Sequence, residues 1–426
     1  MKIENLRTEK HDGRARVAAT VIWEDCGRPA HEVFFETDVA FSDSLTCDPH
    51  AFLVGCAIPA MHYGEQRVFI DADICPELRT GLISALTWLR HWFYGPDRSL
   101  VRIETGVSSG ISEERSPRRA GFFFSGGIDS FATLLANRRD FPLEHPGSIR
   151  DGLLVYGLEQ DDPERFACVL DSLSGVADAA DITLVPVYTN LYLHYREEDA
   201  AQGFKFWGRE FQGAALSAIA HALSRRLAVV SIPSSDNIPT DALLNRKQTL
   251  PYGSHPVLDP NYSSAELRIR HDGITLSRLE KTRMVAGSDA ALQTLRVCNR
   301  YRQYKPGALN CGLCEKCLRT MLALKIAGIL HRTRAFPVQD IHAALRLQKQ
   351  LNPYYYLEML PYLRQMGLDD VVRGIEKKIA RFRRQRLLNS WRNKIGLFTT
   401  AAAVGMEPAY DLCETLAGSA VERIMT

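Results

Sequence analysis

Hydrophobic residues between positions 120 and 327 form short apolar runs that alternate with segments of helical periodicity. Runs with the length and composition of buried strands lie at 122–124, 153–157, 182–188 and 227–232. Segments with helical character lie between them, at 130–138, 163–174 and 210–225. The alternation predicts an α/β domain over 120–327, with a parallel sheet, helices on both faces and ligands at the carboxyl ends of the strands.

Two further regions flank this domain. Residues 1–115 predict an accessory α/β unit, because 16–23 and 32–39 alternate as half-buried strands do and 76–92 repeats leucine at helical spacing. The polar segment 106–119 is rich in residues that break secondary structure, which predicts a linker. The sequence beyond residue 336 has mostly helical character, so we expect a C-terminal helical region at 335–426.

Composition narrows the class of protein. The chain has 426 residues, of which 46% are hydrophobic, so it can build the cores of two or three domains. Its 52 basic residues nearly balance its 50 acidic residues, which excludes polyanion binding through overall charge alone. No apolar run approaches the roughly 18 residues that span a bilayer. The polar N-terminus lacks the apolar core of a signal peptide, and we expect a cytoplasmic protein without a membrane partner.

Gly126 and Gly127 lie between the apolar run at 122–124 and the helix predicted at 130–138, and this segment is the most informative about function. A strand that turns through glycines into a helix directs backbone N–H groups outward, and the positive end of the helix dipole completes an anion site. No lysine precedes the final serine, so the segment differs from a Walker loop. The serines add hydroxyl donors, and the aspartate can orient the loop or hold a metal ion. The candidate binding residues are Ser125, Gly126, Gly127, Ile128, Asp129 and Ser130.

Four of the ten cysteines form a compact cluster with the spacing C-x12-C-x2-C-x2-C. They are Cys298, Cys311, Cys314 and Cys317. Four thiolates can close a tetrahedral site for which Zn²⁺ is the usual ion, although an iron–sulfur cluster uses the same ligands. Because four protein ligands leave no open position, we expect the site to be structural. Such a cluster suits a reducing compartment.

The segment 125–130 resembles the SGGxDS pyrophosphate loop of the N-type ATP pyrophosphatases. With the four cysteines that follow, it is similar to 7-cyano-7-deazaguanine synthase, the QueC-like branch of that family, over about residues 120–325. The resemblance implies an adenine nucleotide α-hydrolase (HUP-like) fold, ATP with Mg²⁺ at the loop, structural Zn²⁺ on the cysteines, and adenine contacts from backbone near Tyr156 and Gly157. The synthase is a compact single domain, so the flanking regions mark this chain as a multidomain variant.

The same resemblance implies an adenylating ligase that cleaves ATP to AMP and pyrophosphate. It would activate a carboxylate or similar oxygen of a small-molecule or protein substrate for attack by ammonia or an amine. The substrate loops do not match those of the synthase, so deazapurine specificity does not transfer. Multidomain QueC-like proteins are associated with anti-phage operons and specialised biosynthesis, which suggests an operon-encoded partner. Two alternatives stay open: an RNA- or tRNA-modifying enzyme, and a nucleotide-binding subunit of a defence complex.

Polar residues between the two motifs supply further candidates. In related pyrophosphatases a late helix opens with a threonine/lysine-type segment, and a basic residue contacts phosphate. Ser277, Arg278 and Lys281 occupy comparable positions, and Asp272 lies in the same compact region. We expect Asp272, Arg278 and Lys281 to act in catalysis with Ser125, Asp129 and Ser130. The turn-rich loop 252–260, with His255 and Asp259, is expected over the substrate pocket, and Arg209 or Glu210 could also face that pocket.

A basic segment at 373–396 contains nine Lys/Arg residues and one Glu. Its apolar residues Ile375, Ile379, Phe382 and Trp391 are spaced to form one stripe of a helix. We expect this stripe to pack against the protein while the basic face is solvated. Nucleic-acid binding by the basic face is the alternative, and it is not favoured.

Overall fold

The computed structural model describes residues 1–107, 118–158, 161–298 and 308–404, apart from the side chains of 11, 107 and 389–404. Most of the predicted linker at 106–119 and the end of the predicted C-terminal region therefore lie outside the described residues. None of the described helices combines the length and the apolar content needed to cross a bilayer.

The described residues form ten strands: β1 Lys2–His11, β2 Arg14–Ile22, β3 His31–Asp38, β4 Arg67–Ile74, β5 Arg102–Val107, β6 Arg119–Phe123, β7 Ile149–Tyr156, β8 Thr183–Thr189, β9 Leu227–Pro233 and β10 Arg268–Asp272. They pair in one sheet, in the order β10-β9-β6-β7-β8-β3-β2-β1-β4-β5. Pairing is parallel from β10 to β8, antiparallel from β8 to β1, and parallel again from β1 to β5. The prediction of an α/β fold with a mostly parallel sheet is confirmed.

Helices flank this sheet. They are α1 Pro49–Tyr63, α2 Pro76–Phe93, α3 Ile128–Asp140, α4 Pro163–Ala179, α5 Arg196–Ala201, α6 Gln212–Ala222, α7 Ile238–Leu243, α8 Arg278–Ala286, α9 Asp289–Thr294, α10 Glu315–Ile326, α11 Ile341–Leu347, α12 Leu360–Gln365 and α13 Asp369–Val404. The helix predicted at 210–225 begins later, because residues Trp207–Phe211 form a π-helical turn before α6.

The accessory unit and the central region share the sheet. Strand β3 pairs with β8 in antiparallel register, with Phe35 opposite Thr189 and Thr37 opposite Val187. The Thr37 hydroxyl also donates to the Pro186 carbonyl oxygen at 2.8 Å. The division of the chain into domains at 115–120 stays a prediction, but its two sides are joined by continuous backbone hydrogen bonding across the sheet.

Two hydrophobic cores lie on opposite faces of the central strands. Because side chains alternate along a strand, Phe123 enters one core while Phe122 and Phe124 enter the other. The first core is formed with α1, α2 and α6, and the second with α3, α4 and the helices from α8 to α13. The C-terminal helices therefore cover the same face of the sheet as α3.

The predicted apolar stripe of the basic segment is partly tested. Ile375 and Ile379 of α13 are buried in the second core, whereas Phe382 is only half-buried. The side chain of Trp391 lies outside the described residues. The packing of α13 against the protein thus involves its first three turns.

Candidate functional site

The segment 125–130 forms a tight turn between β6 and α3. Gly126 has φ of +75°, and a Cβ atom there would lie 3.2 Å from Cδ2 of Leu173. Glycine is therefore suited to this position for both backbone and steric reasons. Gly127 is the N-cap of α3 and offers no side-chain hydrogen bond to the first turn. The N-terminus of the helix consequently presents backbone donors that a bound anion can use.

The two serines of the turn lie next to each other. Their Oγ atoms are 3.5 Å apart. Ser130 donates to the Gly127 carbonyl oxygen at 3.0 Å, and the Gly127 N–H is 3.4 Å from the Ser125 Oγ. Ser130 is buried, whereas Ser125 is exposed. Ser130 therefore braces the turn, while Ser125 can donate to a ligand.

Asp129, in the first turn of α3, is the centre of a charged cluster. Arg278 Nη1 donates to its Oδ2 at 2.6 Å, and Lys281 Nζ lies 3.3 Å from its Oδ1. Lys281 is only 1% exposed, and its Nζ also donates to the Ser234 carbonyl oxygen at 2.5 Å. The structure thus brings three of the predicted catalytic residues into direct contact.

The charges in this cluster shift one another's pKa values. Burial disfavours ionisation of Asp129, but the charges of Arg278 and Lys281 outweigh it and lower the pKa of the carboxyl group. Burial lowers the pKa of Lys281, and Asp129 only partly opposes this effect. Two cations contact the Asp129 carboxylate here, and the charge of Asp236 also acts on Lys281.

The cluster lies where the order of the strands reverses. The chain proceeds from β6 to its neighbour β7, whereas β9 pairs with the opposite edge of β6. Asp129 follows β6, and Ser234 follows β9, so Lys281 spans the crevice between the carboxyl ends of these strands. Crevices at such switch points are the usual ligand sites of open α/β sheets.

Asp272 and Ser277 support the cluster. Asp272 accepts from the Ser231 hydroxyl at 2.5 Å and from Arg270 at 3.0 Å, and its carbonyl oxygen accepts from the Ser234 N–H at 2.8 Å. It therefore holds the segment that binds Lys281. Ser277 forms a capping box with Glu280 at the start of α8 and donates to Glu358. This cap fixes the helix that carries Arg278 and Lys281.

Tyr156 ends the neighbouring strand β7, and Gly157 follows it directly. The Tyr156 hydroxyl donates to the Asp161 carbonyl oxygen at 2.8 Å, and its ring packs edge-on against Phe166. Gly157 has φ of +95°, and a Cβ atom there would be 1.7 Å from the Thr189 carbonyl oxygen. Both residues lie at the same sheet edge as the 125–130 turn. This location is compatible with contact to adenine, which stays a prediction.

The loop 252–260 and residues 209–210 are held in place by side chains of the accessory unit and of neighbouring segments. Asp259 is fully buried and binds His271 Nδ1 at 2.7 Å and the Ser254 hydroxyl at 2.8 Å. His255 packs against Trp92, and burial lowers its pKa to about 4. Arg209 lies over the Phe93 ring, and Glu210 accepts from the Tyr94 hydroxyl. These contacts give the two segments a structural role.

The sequence places the segment 234–236 at the carboxyl edge of the sheet, because it directly follows a predicted strand. Asp236 of this segment has its pKa raised by burial and by the charges of Asp241 and Asp129. Sequence reasoning missed other residues around the cluster. The Tyr354 hydroxyl, from the C-terminal region, accepts from the Asn237 N–H at 3.0 Å. The backbone N–H of Arg296 donates to the Gly126 carbonyl oxygen at 2.7 Å. No local pattern marked these positions, because long-range packing brings them to the site.

The four cysteines of the cluster converge as predicted. Cys298 Sγ lies 3.4 Å from Cys311 Sγ and 3.3 Å from Cys314 Sγ. Cys317 Sγ lies 3.8 Å from Cys311 Sγ and 3.5 Å from Cys314 Sγ. A tetrahedral Zn²⁺ site with Zn–S bonds of about 2.3 Å has S–S edges of about 3.8 Å. The donor set and its spacing therefore fit a metal ion.

Local backbone structure brings the four thiols together. The N–H groups of Leu313 and Cys314 donate to Cys311 Sγ at 3.3 and 3.2 Å. Gly312 has φ of +71°, and a Cβ atom there would be 2.2 Å from the Val338 carbonyl oxygen. The fully buried Asn310 accepts from the Cys298 N–H at 3.2 Å and so ties the distant cysteine to the turn.

A second group of possible ligand atoms is formed by Asp48, His50 and His221. His50 Nε2 accepts from the Cys75 N–H at 2.9 Å, so its Nδ1 carries the proton and donates to Asp48 at 2.8 Å. Both nitrogens of His50 are thus committed to hydrogen bonds. The buried His221 donates through Nε2 to the Tyr262 carbonyl oxygen. We interpret the group as a structural network that caps α1.

Comparison with known proteins returned no similar protein: no family model, no curated protein and no solved structure matches this chain.

Proposed function

We propose that the chain is an ATP-dependent adenylating enzyme of the pyrophosphate-loop type, with an adenine nucleotide α-hydrolase fold. The 125–130 turn would bind the β- and γ-phosphates of ATP, and the reaction would release AMP and pyrophosphate. The observation that carries the proposal is the contact of Asp129 with Arg278 and Lys281 at the switch point of the sheet. An anion site with backbone donors, two cations and a carboxylate suits a polyphosphate with a metal ion.

The proposal gives each side chain a task. The N–H groups at the start of α3 and the Ser125 hydroxyl would hold phosphate oxygens. Arg278 and Lys281 would transfer hydrogen bonds from Asp129 to the phosphates, which stabilises the charge on the leaving pyrophosphate. Asp129, released from these cations, would be available to Mg²⁺, which supplies charge neutralisation when bound. The Asp272 side chain would act indirectly, through the segment that binds Lys281.

The four cysteines are proposed to hold structural Zn²⁺. All-thiolate sites with four ligands leave no position for substrate, and the cysteines pack within the second core. The activated group would be a carboxylate or similar oxygen, and the nucleophile ammonia or an amine, which would make the enzyme a C–N ligase.

Product analysis tests this proposal. Purified protein is incubated with Mg²⁺, with ATP labelled at the α- or γ-phosphate, and with a panel of carboxylates and amines. We expect labelled AMP and pyrophosphate. Formation of ADP and phosphate, or no binding of ATP at all, would contradict the proposal.

Asp129→Asn provides the matched variant, because it keeps the size of the side chain while removing its charge. We expect it to lose AMP formation. Asp140→Asn changes an exposed aspartate at the other end of α3 and should retain full turnover.

A further inference from the structure

Arg319 of α10 is a buried cation with an incomplete set of partners. It is 8% exposed, and its Nε has no hydrogen-bond partner among the described residues. Its ion-pair partner Glu315 is 3.9 Å away, and the other oxygen of Glu315 accepts from the Tyr356 hydroxyl at 2.8 Å. The Arg319 guanidinium lies over the Tyr355 ring, 4.1 Å from its centroid.

Burying a guanidinium with a distant partner opposes folding, because the charge loses hydration that a weak ion pair does not replace. The Tyr355 ring offsets part of this loss through a cation–π contact. A contact with the face of the ring does not use the N–H donors of the guanidinium, and the Nε donor has no hydrogen-bond partner among the described residues. Such a fork matches the oxygens of a phosphate group.

Helix α8 connects the helix of this arginine to the helix that follows the phosphate-loop candidate. Helix α8, which carries Arg278 and Lys281, packs against both α3 and α10. The negative charge of Asp129 acts on Arg319 across this contact. The cysteine cluster fixes the start of the same helix, since Cys314 is its N-cap and Cys317 lies in its first turn. Arg319 therefore has a fixed position relative to the loop.

We propose that Arg319 is a third cation of the nucleotide site and binds phosphate oxygens of the ligand held by the 125–130 turn. This inference rests on the proposed function and adds to it a residue from beyond the cysteine cluster. The C-terminal region takes part as well, because Tyr355 supports the guanidinium from the segment that precedes α12.

Equilibrium binding of ATP and of inorganic pyrophosphate tests the proposal without relying on turnover. For Arg319→Gln we expect both dissociation constants to rise about 10- to 100-fold, because one charge-assisted contact of about 1.5–3 kcal/mol is lost. Arg319→Lys keeps the charge without the fork and should fall between this variant and the wild type. Arg332→Gln, which changes an exposed arginine paired with Asp289, should bind as the wild type does.

The outcomes separate this inference from the proposed function. Wild-type protein that binds neither ATP nor pyrophosphate would overturn both. Wild-type protein that binds both ligands, together with Arg319→Gln or Arg319→Lys protein of unchanged affinity, would overturn the role of Arg319 alone. If Arg319→Gln does not fold, as judged by circular dichroism, the comparison of Arg319→Lys with wild type decides, since a twofold or smaller change would contradict a bidentate contact.

Discussion

The phosphate-loop candidate at 125–130 and the cysteine turn at 311–317 both place a turn with a left-handed glycine before a helix. They differ in the groups that interact with the turn and with the start of the helix. In the first, Gly127 caps α3 without a side-chain hydrogen bond, and the adjacent charges are partly accessible. In the second, the thiols of the turn and of α10 converge on one another and on Cys298. The first turn leaves interactions open to a ligand, and the second closes them within the protein.

This difference indicates where each turn contributes free energy. A closed set of four thiolates adds its metal-binding energy to folding, since the unfolded chain does not hold the ligands together. An open turn instead retains hydrogen-bond donors and charged groups that interact most favourably with a bound ligand. We therefore expect substitutions in the cysteine turn to reduce stability most, and substitutions in the loop to reduce ligand binding and turnover more than stability.

The largest expected effect is that of Cys314→Ser. Loss of one thiolate should weaken metal binding and lower the free energy of unfolding by more than about 4 kcal/mol. Urea denaturation and metal analysis of the purified protein measure the two quantities. Cys168→Ser, a half-buried cysteine outside the cluster, should leave both unchanged. Metal-free wild-type protein of undiminished stability would remove the contrast between the two turns.

Asp129→Ala should have the next largest effect on stability. It is the exception among the loop substitutions, because Asp129 is paired with a buried cation. The substitution leaves the buried Lys281 without its carboxylate, and we expect a loss of about 3–5 kcal/mol in the free energy of unfolding. Replacing Lys281 with Met in the same protein should restore part of that loss. A double-mutant cycle by chemical denaturation measures the coupling, and simple additivity would show that the pair contributes nothing.

The pairing of Asp129 with Lys281 also determines the direction in which the free energy of unfolding changes with pH. The pKa of Asp129 is lowered in the folded state, so its contribution to stability is present above the pKa of an unfolded aspartate, about 4. The contribution is lost as the pH falls through the lower folded-state pKa. Stability measured between pH 6 and pH 2 should therefore fall less steeply for Asp129→Ala than for wild type.

Gly126→Ala should have an intermediate effect. A left-handed alanine costs about 1–2 kcal/mol, and its Cβ would also press on the Leu173 side chain. Gly175→Ala is the matched control in α4, where an added Cβ meets no atom within 4 Å and helix propensity improves. Thermal unfolding of the two variants should shift in opposite directions. Equal shifts would show that the φ value of Gly126 has no energetic consequence.

Ser125→Ala should have the smallest effect on stability and still abolish most AMP formation. The side chain is exposed, so we expect the free energy of unfolding to change by no more than about 0.5 kcal/mol. Ser84→Ala, which changes a half-buried serine on α2, should change neither quantity. Full turnover by Ser125→Ala protein would argue against a phosphate-binding role for the open turn.

Particular elements show how far the sequence predicted the fold. The apolar runs at 122–124 and 227–232 correspond to β6 and β9, because continuous apolar runs suit strands buried on both faces. Strand β10 was missed, since Arg268–Asp272 is a short and mostly charged segment that the hydrophobic pattern does not mark. The shared sheet was also missed, because the pairing of β3 with β8 depends on backbone hydrogen bonds between segments about 150 residues apart.

The sequence by itself determined the two motifs, because closely spaced glycines, serines and cysteines specify local turns and donor sets. The resemblance to related pyrophosphatases also marked Arg278 and Lys281, as residues of a segment that opens a late helix. Only the tertiary structure decided that these cations meet Asp129 and that the helix of Arg319 packs against α8. It also decided that His255 and Glu210 contact aromatic residues near the end of α2. Electrostatic contacts of this kind depend on distances between segments far apart in the chain, and packing of the sheet and helices fixes those distances.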